Sequence, residues 1–294
     1  MNNQIKFIII FLLGLVYAQG NLQILTIPSN TKLLSLANAG HALDNYSMSC
    51  NPASISLEQN GNINLHSHLY PGKILYLNTE IIIPRNNYIY SFNYANLNYG
   101  DFKDGLSKET FNSSEFLFRG SIKTHILNKI SIGGSLGYGI NKISNEFSHA
   151  LFISLGARTQ LKNPSLGIGL SINNLGTVVK HFSNIDEPIP TSINLSTYYS
   201  PKYFPGVLLF DLFQYSDVNN IQIHAGVEIK LSNYLFLRLG NNSNALNFSD
   251  SYSSYFPGLS GGIGIQTKKW NIDVGCFNLE TAGITTAISL LYKK

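Results

Sequence analysis

The sequence is poor in charge. Asp, Glu, Lys and Arg together supply 12% of its 294 residues, about half the share of an ordinary soluble domain. The net charge of +4 is small and scattered along the chain, which excludes the basic patch that nucleic acid demands. Cysteine is scarcer still. Cys50 and Cys276 are the only two, with no CxxC or comparable ligand spacing, so no zinc site and no disulfide framework is written here. One bridge between the two is open to the chain in an oxidising compartment. HExxH and GxSxG are absent, which removes the common metalloprotease and serine-hydrolase readings. After residue 16 no segment approaches the roughly twenty apolar residues of a helical membrane span. Nothing supports an enzyme, a cofactor or a metal site.

What is present is aromatic and apolar. Phe, Trp and Tyr reach 12%, hydrophobic residues 44%, and there are 25 glycines. Low charge, many aromatics and no helical span point to β-structure whose outer face tolerates lipid. The first residues stand apart. Positions 1–6 are polar with one positive charge, 7–16 (FIIIFLLGLV) form an unbroken apolar run, and Val16-Tyr17-Ala18 places a small residue at a cleavage point. That is the anatomy of a secretory signal peptide spanning 1–18. A membrane anchor or a buried N-terminal helix is the alternative, against which no stop-transfer pattern follows. No cysteine sits at the cleavage point, so a lipoprotein is not indicated.

From about residue 62 onward the dominant signal is alternation with period two, the mark of strands with two unlike faces. In 221–231, Ile221, Ile223, Ala225, Val227, Ile229 and Leu231 share one face. Gln222, His224, Gly226, Glu228 and Lys230 share the other. Ile130, Ile132, Leu136, Tyr138 and Ile140 alternate with Ser131, Gly133, Ser135, Gly137 and Gly139. Trp270, Ile272, Val274 and Cys276 alternate with Asn271, Asp273, Gly275 and Phe277. About fourteen strands are expected, near 62–70, 72–82, 87–98, 115–125, 129–141, 147–158, 165–174, 191–200, 206–214, 220–231, 233–241, 258–268, 269–279 and 283–292. Each has roughly the ten residues needed to cross a bilayer at a tilt. Some turns are tight, as at Ser232-Asn233, while 98–114, 178–190 and 241–257 read as long polar loops. Short turns on one rim and long loops on the other is the asymmetry of outer-membrane barrels. Aromatics gather near strand ends (Tyr88, Tyr90, Tyr94 and Tyr99; Tyr198, Tyr199, Tyr203 and Phe204; Tyr252, Tyr255 and Phe256), which suits interfacial girdles; packing of loop aromatics on the strands they follow is the alternative. Residues 19–61 lack sustained alternation. They read as an element folded into or across the barrel mouth, or else as a disordered tail.

The titratable residues suggest little chemistry. His66 and His68 share a strand face and would make half a metal site, but no carboxylate or cysteine stands at ligand spacing, so they read as solvated lumen histidines. Arg119, Lys123, Arg158, Arg238, Asp273 and Glu228 fall on the polar face, where they pair across the lumen or hydrate. Ser121, Ser135, Ser171 and Ser289 lack a nucleophile context. Gly261-Gly262-Ile263-Gly264 lacks the Lys-Ser/Thr of a phosphate loop and sits in an alternating strand, where glycine admits close packing or a bend.

Several short motifs follow one another in order over some 250 residues. Leu36-Ala37-Asn38-Ala39-Gly40 is followed by Asn51-Pro52-Ala53, then by Tyr99-Gly100-Asp101-Phe102. The stretch 170–176 (LSINNLG) precedes Glu187-Pro188-Ile189-Pro190. His224-Ala225-Gly226-Val227-Glu228, Leu237-Arg238-Leu239-Gly240 and 258–265 (GLSGGIGI) follow. In these the chain resembles the PorV/PorQ family of outer-membrane proteins, closer to the PorQ branch, whose members are relatives of the long-chain fatty-acid transporter barrels. Two features depart from the pattern: Asn38 and His41 stand where glycine is usual, and two lysines follow the terminal aromatic in Tyr292-Lys293-Lys294. The resemblance implies an all-β, transmembrane antiparallel barrel of fourteen strands over 62–294, with 19–61 as an N-terminal hatch. It also implies a place in the outer membrane and association with type IX secretion, moving or anchoring cargo through protein contacts with secretion-system proteins. An uptake channel for hydrophobic or small solutes is the alternative that the transporter kinship allows. A soluble secreted β-protein is a third reading, disfavoured because so many strands pair a continuous apolar face with a small or polar one.

Overall fold

The computed structural model describes residues 22–43, 47–55, 62–103, 109–127, 129–161, 165–182, 188–216, 220–243, 258–279 and 282–294. The leader read at 1–18, Glu187 and most of 241–257, with Tyr252, Tyr255 and Phe256, lie outside the described residues. Fourteen strands run in chain order around a closed antiparallel barrel. They are β1 Asn62–Leu69, β2 Leu75–Arg85, β3 Tyr88–Lys103, β4 Thr110–Leu127, β5 Ile130–Ile143, β6 Glu146–Gln160 and β7 Leu166–Lys180, then β8 Ser192–Tyr199, β9 Gly206–Tyr215, β10 Gln222–Lys230, β11 Leu235–Asn242, β12 Leu259–Gln266, β13 Trp270–Asn278 and β14 Ile284–Lys293. The seam pairs β1 with β14, from Asn62 opposite Lys293 to Leu69 opposite Thr286. Among the described residues no helix is long and apolar enough to cross a membrane.

The period-two pattern becomes the two faces of this wall. On β5 the outward Leu136 is 62% exposed while the inward Ser131 and Ser135 are buried; on β14 Ile288 is 55% exposed beside the buried Ala287 and Ser289. Large apolar side chains lie exposed on strand after strand around the barrel, far more apolar surface than a soluble monomer carries. A hydrocarbon solvent reverses the sign of that cost. Closure supplies the other requirement, since every wall strand then has a partner on both sides, the end of β7 described below excepted.

Antiparallel order sorts the connections into two rims. The ends of the barrel, at Asn62 and Lys293, share a rim with the connections 86–87, 128–129, 161–165, 200–205, 231–234 and 267–269. The opposite rim carries the two longest connections, 181–191 and 243–258. The expected asymmetry is therefore present, but two of the expected long loops are shorter. Residues 98–114 are largely strand: β3 continues to Lys103 and β4 starts at Thr110, paired from Gly100 opposite Ser113 to Lys103 opposite Thr110 after a bulge at Asn98. Gly100 takes the positive φ of 83° that the bulge needs. Phe102 stacks on Phe111 with centroids 5.5 Å apart, which holds this projecting hairpin together. The start of 178–190 likewise belongs to β7. β2 begins three residues later than expected, because Pro71–Lys73 forms a 3-10 turn with Gly72 at φ 75°.

One discontinuity interrupts the wall. β7 pairs with β8 only as far as Asn173 opposite Ser192. Asn174 adopts a left-handed conformation, φ 58°, and beyond it β7 stays paired to β6 alone, up to Lys180 opposite His149. The Thr191 hydroxyl donates to the Asn174 carbonyl at 2.9 Å across the gap. Of the aromatics read as girdles, Tyr88, Tyr94, Tyr199 and Tyr203 are exposed, whereas Tyr198 turns inward and is 5% exposed.

Candidate functional site

Inside the barrel, the described parts of 19–61 touch the wall on several sides. Their one α-helix, α1 (Thr31–Ser35), is capped by Asn30, whose side chain accepts from Leu33 N at 2.8 Å. The helix is too short to stand alone and is held by packing against β11, β12 and β13. Small residues make this approach feasible. A methyl on Gly240 would overlap the Leu36 backbone, and one on Gly262 or Gly275 would overlap the Ser35 side chain. The glycine run in β12 is thus a packing surface, as its alternating context implied.

Polar bonds fix the rest of the segment. The Asp211 carboxylate, fully buried on β9, accepts from the backbone N–H of Gly40 (3.2 Å) and His41 (3.0 Å) and pairs with His41 Nδ1 at 2.7 Å. Burial opposes a charged His41 ring, but its hydrogen bonds to Asp211 and Cys50 outweigh burial and raise its pKa to about 10. The imidazole is therefore protonated at neutral pH. Glu115 accepts from Ile24 N at 2.7 Å and from the Tyr99 hydroxyl at 2.8 Å. The buried Glu80 accepts from Ser47 and Ser91. Arg119 donates to the Ser49 carbonyl at 2.7 Å and to Asn174 Oδ1 at 3.0 Å. Arg158 donates to the Ala42 carbonyl and Lys123 to the Ile55 carbonyl.

Asn51, Pro52 and Ala53 form one compact turn within this segment. Asn51 Oδ1 accepts from Ala53 N at 2.9 Å, and the Asn51 carbonyl accepts from Ser54 N at 3.0 Å. The turn presses into the wall where β5 and β6 carry glycine: a side chain at Gly133 would overlap the Pro52 carbonyl, and one at Gly156 the Asn51 side chain. The place of these three residues is a seat on the wall.

The remaining candidates divide. Arg238 pairs with Glu228 and Asp273, each at 2.6 Å, and Lys32 joins Glu228 at 3.2 Å, a chain of alternating charge as expected for the polar face. Arg119, Lys123 and Arg158 differ from that expectation, since the bonds described above take them to carbonyls of the inner segment. His66 and His68 are buried rather than exposed in the lumen. His68 is fully buried, with Tyr76 at 5.0 Å and Tyr70 at 6.4 Å between ring centroids. No group of three metal-ligating side chains occurs among the described residues. Cys50 is buried inside and Cys276 is exposed outside, both as free thiols, so the bridge left open by the sequence does not form. Ser289 bonds Asp273 Oδ2 at 3.2 Å. Sequence reasoning missed Asp211, Glu80 and Glu115. Asp211 did leave a signal, as a lone carboxylate on the inward face of an apolar strand (VLLFDLF).

The segment leaves a cavity toward each rim. Toward the short-turn rim lies a polar space of about 560 Å³ bordered by Lys32, His66, Arg238 and Lys293. Toward the long-loop rim lies a more apolar one of about 420 Å³ bordered by Ile27, Pro28, Leu34, Tyr70, Phe277 and Leu279.

No protein-family model matches the chain, and no curated protein matches its sequence. Its fold does have counterparts. The Pseudomonas putida toluene transporter TodX superposes with a TM-score of 0.65 at 11% identity, over 91% of this chain and 99% of that one. A Pseudomonas aeruginosa FadL homologue gives 0.54 at 10% identity, over 90% and 98%. At such identities the likeness concerns the fold alone, a closed barrel that in this chain has fourteen strands.

Proposed function

We propose that the chain is a non-enzymatic outer-membrane barrel associated with type IX protein secretion. In this reading 1–18 is its export leader, its apolar belt faces outer-membrane lipid, and 19–61 is a hatch in the lumen. It handles secretion-system proteins or cargo at its rims and outer wall. The observation that carries the reading is the anchoring of the inner segment. Buried side chains from β2, β4, β6 and β9 each hold its backbone or hydroxyls. A lumen bonded from so many sides does not serve as a conduit for a polypeptide, so the work falls to surfaces. The ordered motifs shared with the PorV/PorQ family supply the pathway.

A second reading is uptake of a small apolar solute. It is favoured by the apolar cavity at the long-loop rim and by the parting of β7 from β8 after Asn173. Affinity capture from detergent-solubilised outer membranes separates the two. Recovery of secretion components or cargo supports the first. Their absence, with a defect in accumulating an apolar solute in a deletion strain, overturns it in favour of the second.

A further inference from the structure

We propose that the short-turn mouth of the barrel is a binding site for a small anion bearing carboxylate or phosphate groups, held by Lys268, Lys293, Lys294 and His66. The inference is independent of the secretion reading.

The case begins with charge. Five cationic side chains and two side-chain carboxylates border the cavity of about 560 Å³, with the α-carboxylate of Lys294 at its edge. Both side-chain carboxylates are already engaged. Glu228 takes Lys32 and Arg238; Asp273 takes Arg238 and the Ser289 hydroxyl. Gly264 secures this arrangement, because a side chain there would collide with Asp273 Oδ1 and the Arg238 head. Lys268, Lys293 and Lys294 are left over. Among the described residues no Asp or Glu carboxylate comes within ion-pairing distance of them. Like charges converging on a concave, partly desolvated space raise its potential and draw counter-ions into it.

The second observation is a pair of unsatisfied side chains on β1 that face the same space. His66 is 8% exposed, and neither ring nitrogen has a hydrogen-bond partner. Asn64 is 5% exposed, and its Oδ1 has none. Buried polar groups in native proteins are nearly always partnered, by protein, water or ligand. The register aligns these groups. Along the seam His66 lies opposite Ser289, Asn64 opposite Leu291 and Asn62 opposite Lys293. One inward face therefore climbs from His66 to the lysines at the rim. An anion seated there takes an N–H from His66 at its inner end and ammonium donors at its outer end. Charge-assisted bonds of this kind are the strong ones. The volume falls within the roughly 300–1,000 Å³ of small-molecule sites. An excess of cations excludes a metal ion as the occupant. Lys293 and Lys294, which follow the aromatic Tyr292, thereby acquire a role.

The test uses the full barrel, folded in detergent micelles at low ionic strength, with inorganic phosphate and citrate as separate probes in titration calorimetry. The chain's one tryptophan, Trp270, packs at a tilt against Tyr292, ring centroids 4.7 Å apart, beside Lys293 and offers an optical second readout. At least one probe is expected to bind one per barrel, and the tighter of the two identifies the preferred group. The double variant Lys293→Gln/Lys294→Gln is expected to weaken that binding about tenfold or more, and His66→Leu roughly tenfold, each the loss of a charge-assisted or buried hydrogen bond. Lys103→Gln on the opposite rim leaves it unchanged. Heat-modifiable migration in gels checks folding, and His66→Asn replaces His66→Leu if the latter does not fold. Binding of neither probe overturns the proposal. So does binding that survives the double lysine variant, or that falls equally with Lys103→Gln.

Discussion

Asp211 shows how much one side chain can hold in this barrel. It has no exposed surface, faces a protonated His41 at 2.7 Å and takes two backbone N–H groups besides. Removing one partner of a buried ion pair leaves the other uncompensated, which costs roughly 3–5 kcal/mol. Asp211→Ala is therefore expected to destabilise the folded barrel by about that much, read as a lower urea midpoint of the heat-modifiable form. The pair also sets a pH dependence. The His41 pKa is raised to about 10 from an unfolded value of 6.5, so its contribution is complete below pH 6.5. It declines as pH rises and is lost on passing about pH 10. Limited proteolysis of 22–55 should follow that course in the native protein and be flat in Asp211→Ala. At this scale the sequence was only partly legible. Asn51, Pro52 and Ala53 stood out as a motif, and the structure gives them a seat on Gly133 and Gly156. His41 was visible only as an intruder among glycines, because its partner lies 170 residues away.

At the scale of the strand, the face a residue occupies decides its tolerance. Leu136 stands at mid-strand on the outer face of β5, 62% exposed. Leu136→Arg should cost roughly 2–4 kcal/mol of folding stability in lipid vesicles, as for a cation at bilayer depth. The adjacent Ser135→Ala, on the inner face with an unpartnered hydroxyl, should cost little by the same assay. Gly133→Val tests the seat of the Asn51 turn. A branched side chain there collides with the Pro52 carbonyl and should release 47–55 to protease while leaving the wall folded, since overpacking costs about 1–3 kcal/mol. Strands were the most legible feature of all, because lipid outside and polar interior inside keep the period of two intact for the depth of the membrane. Their outer ends were not. Past Asn98 on β3 and Asn174 on β7 the register shifts, at the bulge beside Gly100 and at the left-handed Asn174, so the alternation breaks although pairing continues.

The whole molecule is a closed wall around a bonded insert. If the insert is the hatch proposed here, deleting 22–55 should raise single-channel conductance in planar bilayers from near zero to that of an open barrel, while the intact protein stays silent. The approximate count of strands and the asymmetry of the rims were readable in advance as sums of local signals, and the family resemblance fixed the count at fourteen. The position of the insert was not, because it depends on contacts between residues far apart in sequence, such as Ser35 with Ser260 and Ile24 with Glu115. The seam decides how the insert is enclosed. β1 follows directly on the insert, and its partner across the seam is β14. Asp211, Arg119 and Arg158 lie on strands away from that line and grip the insert from the rest of the wall. Zipping Asn62–Leu69 against β14 locks it in, much as a hoop fixes the staves of a cask around what is inside.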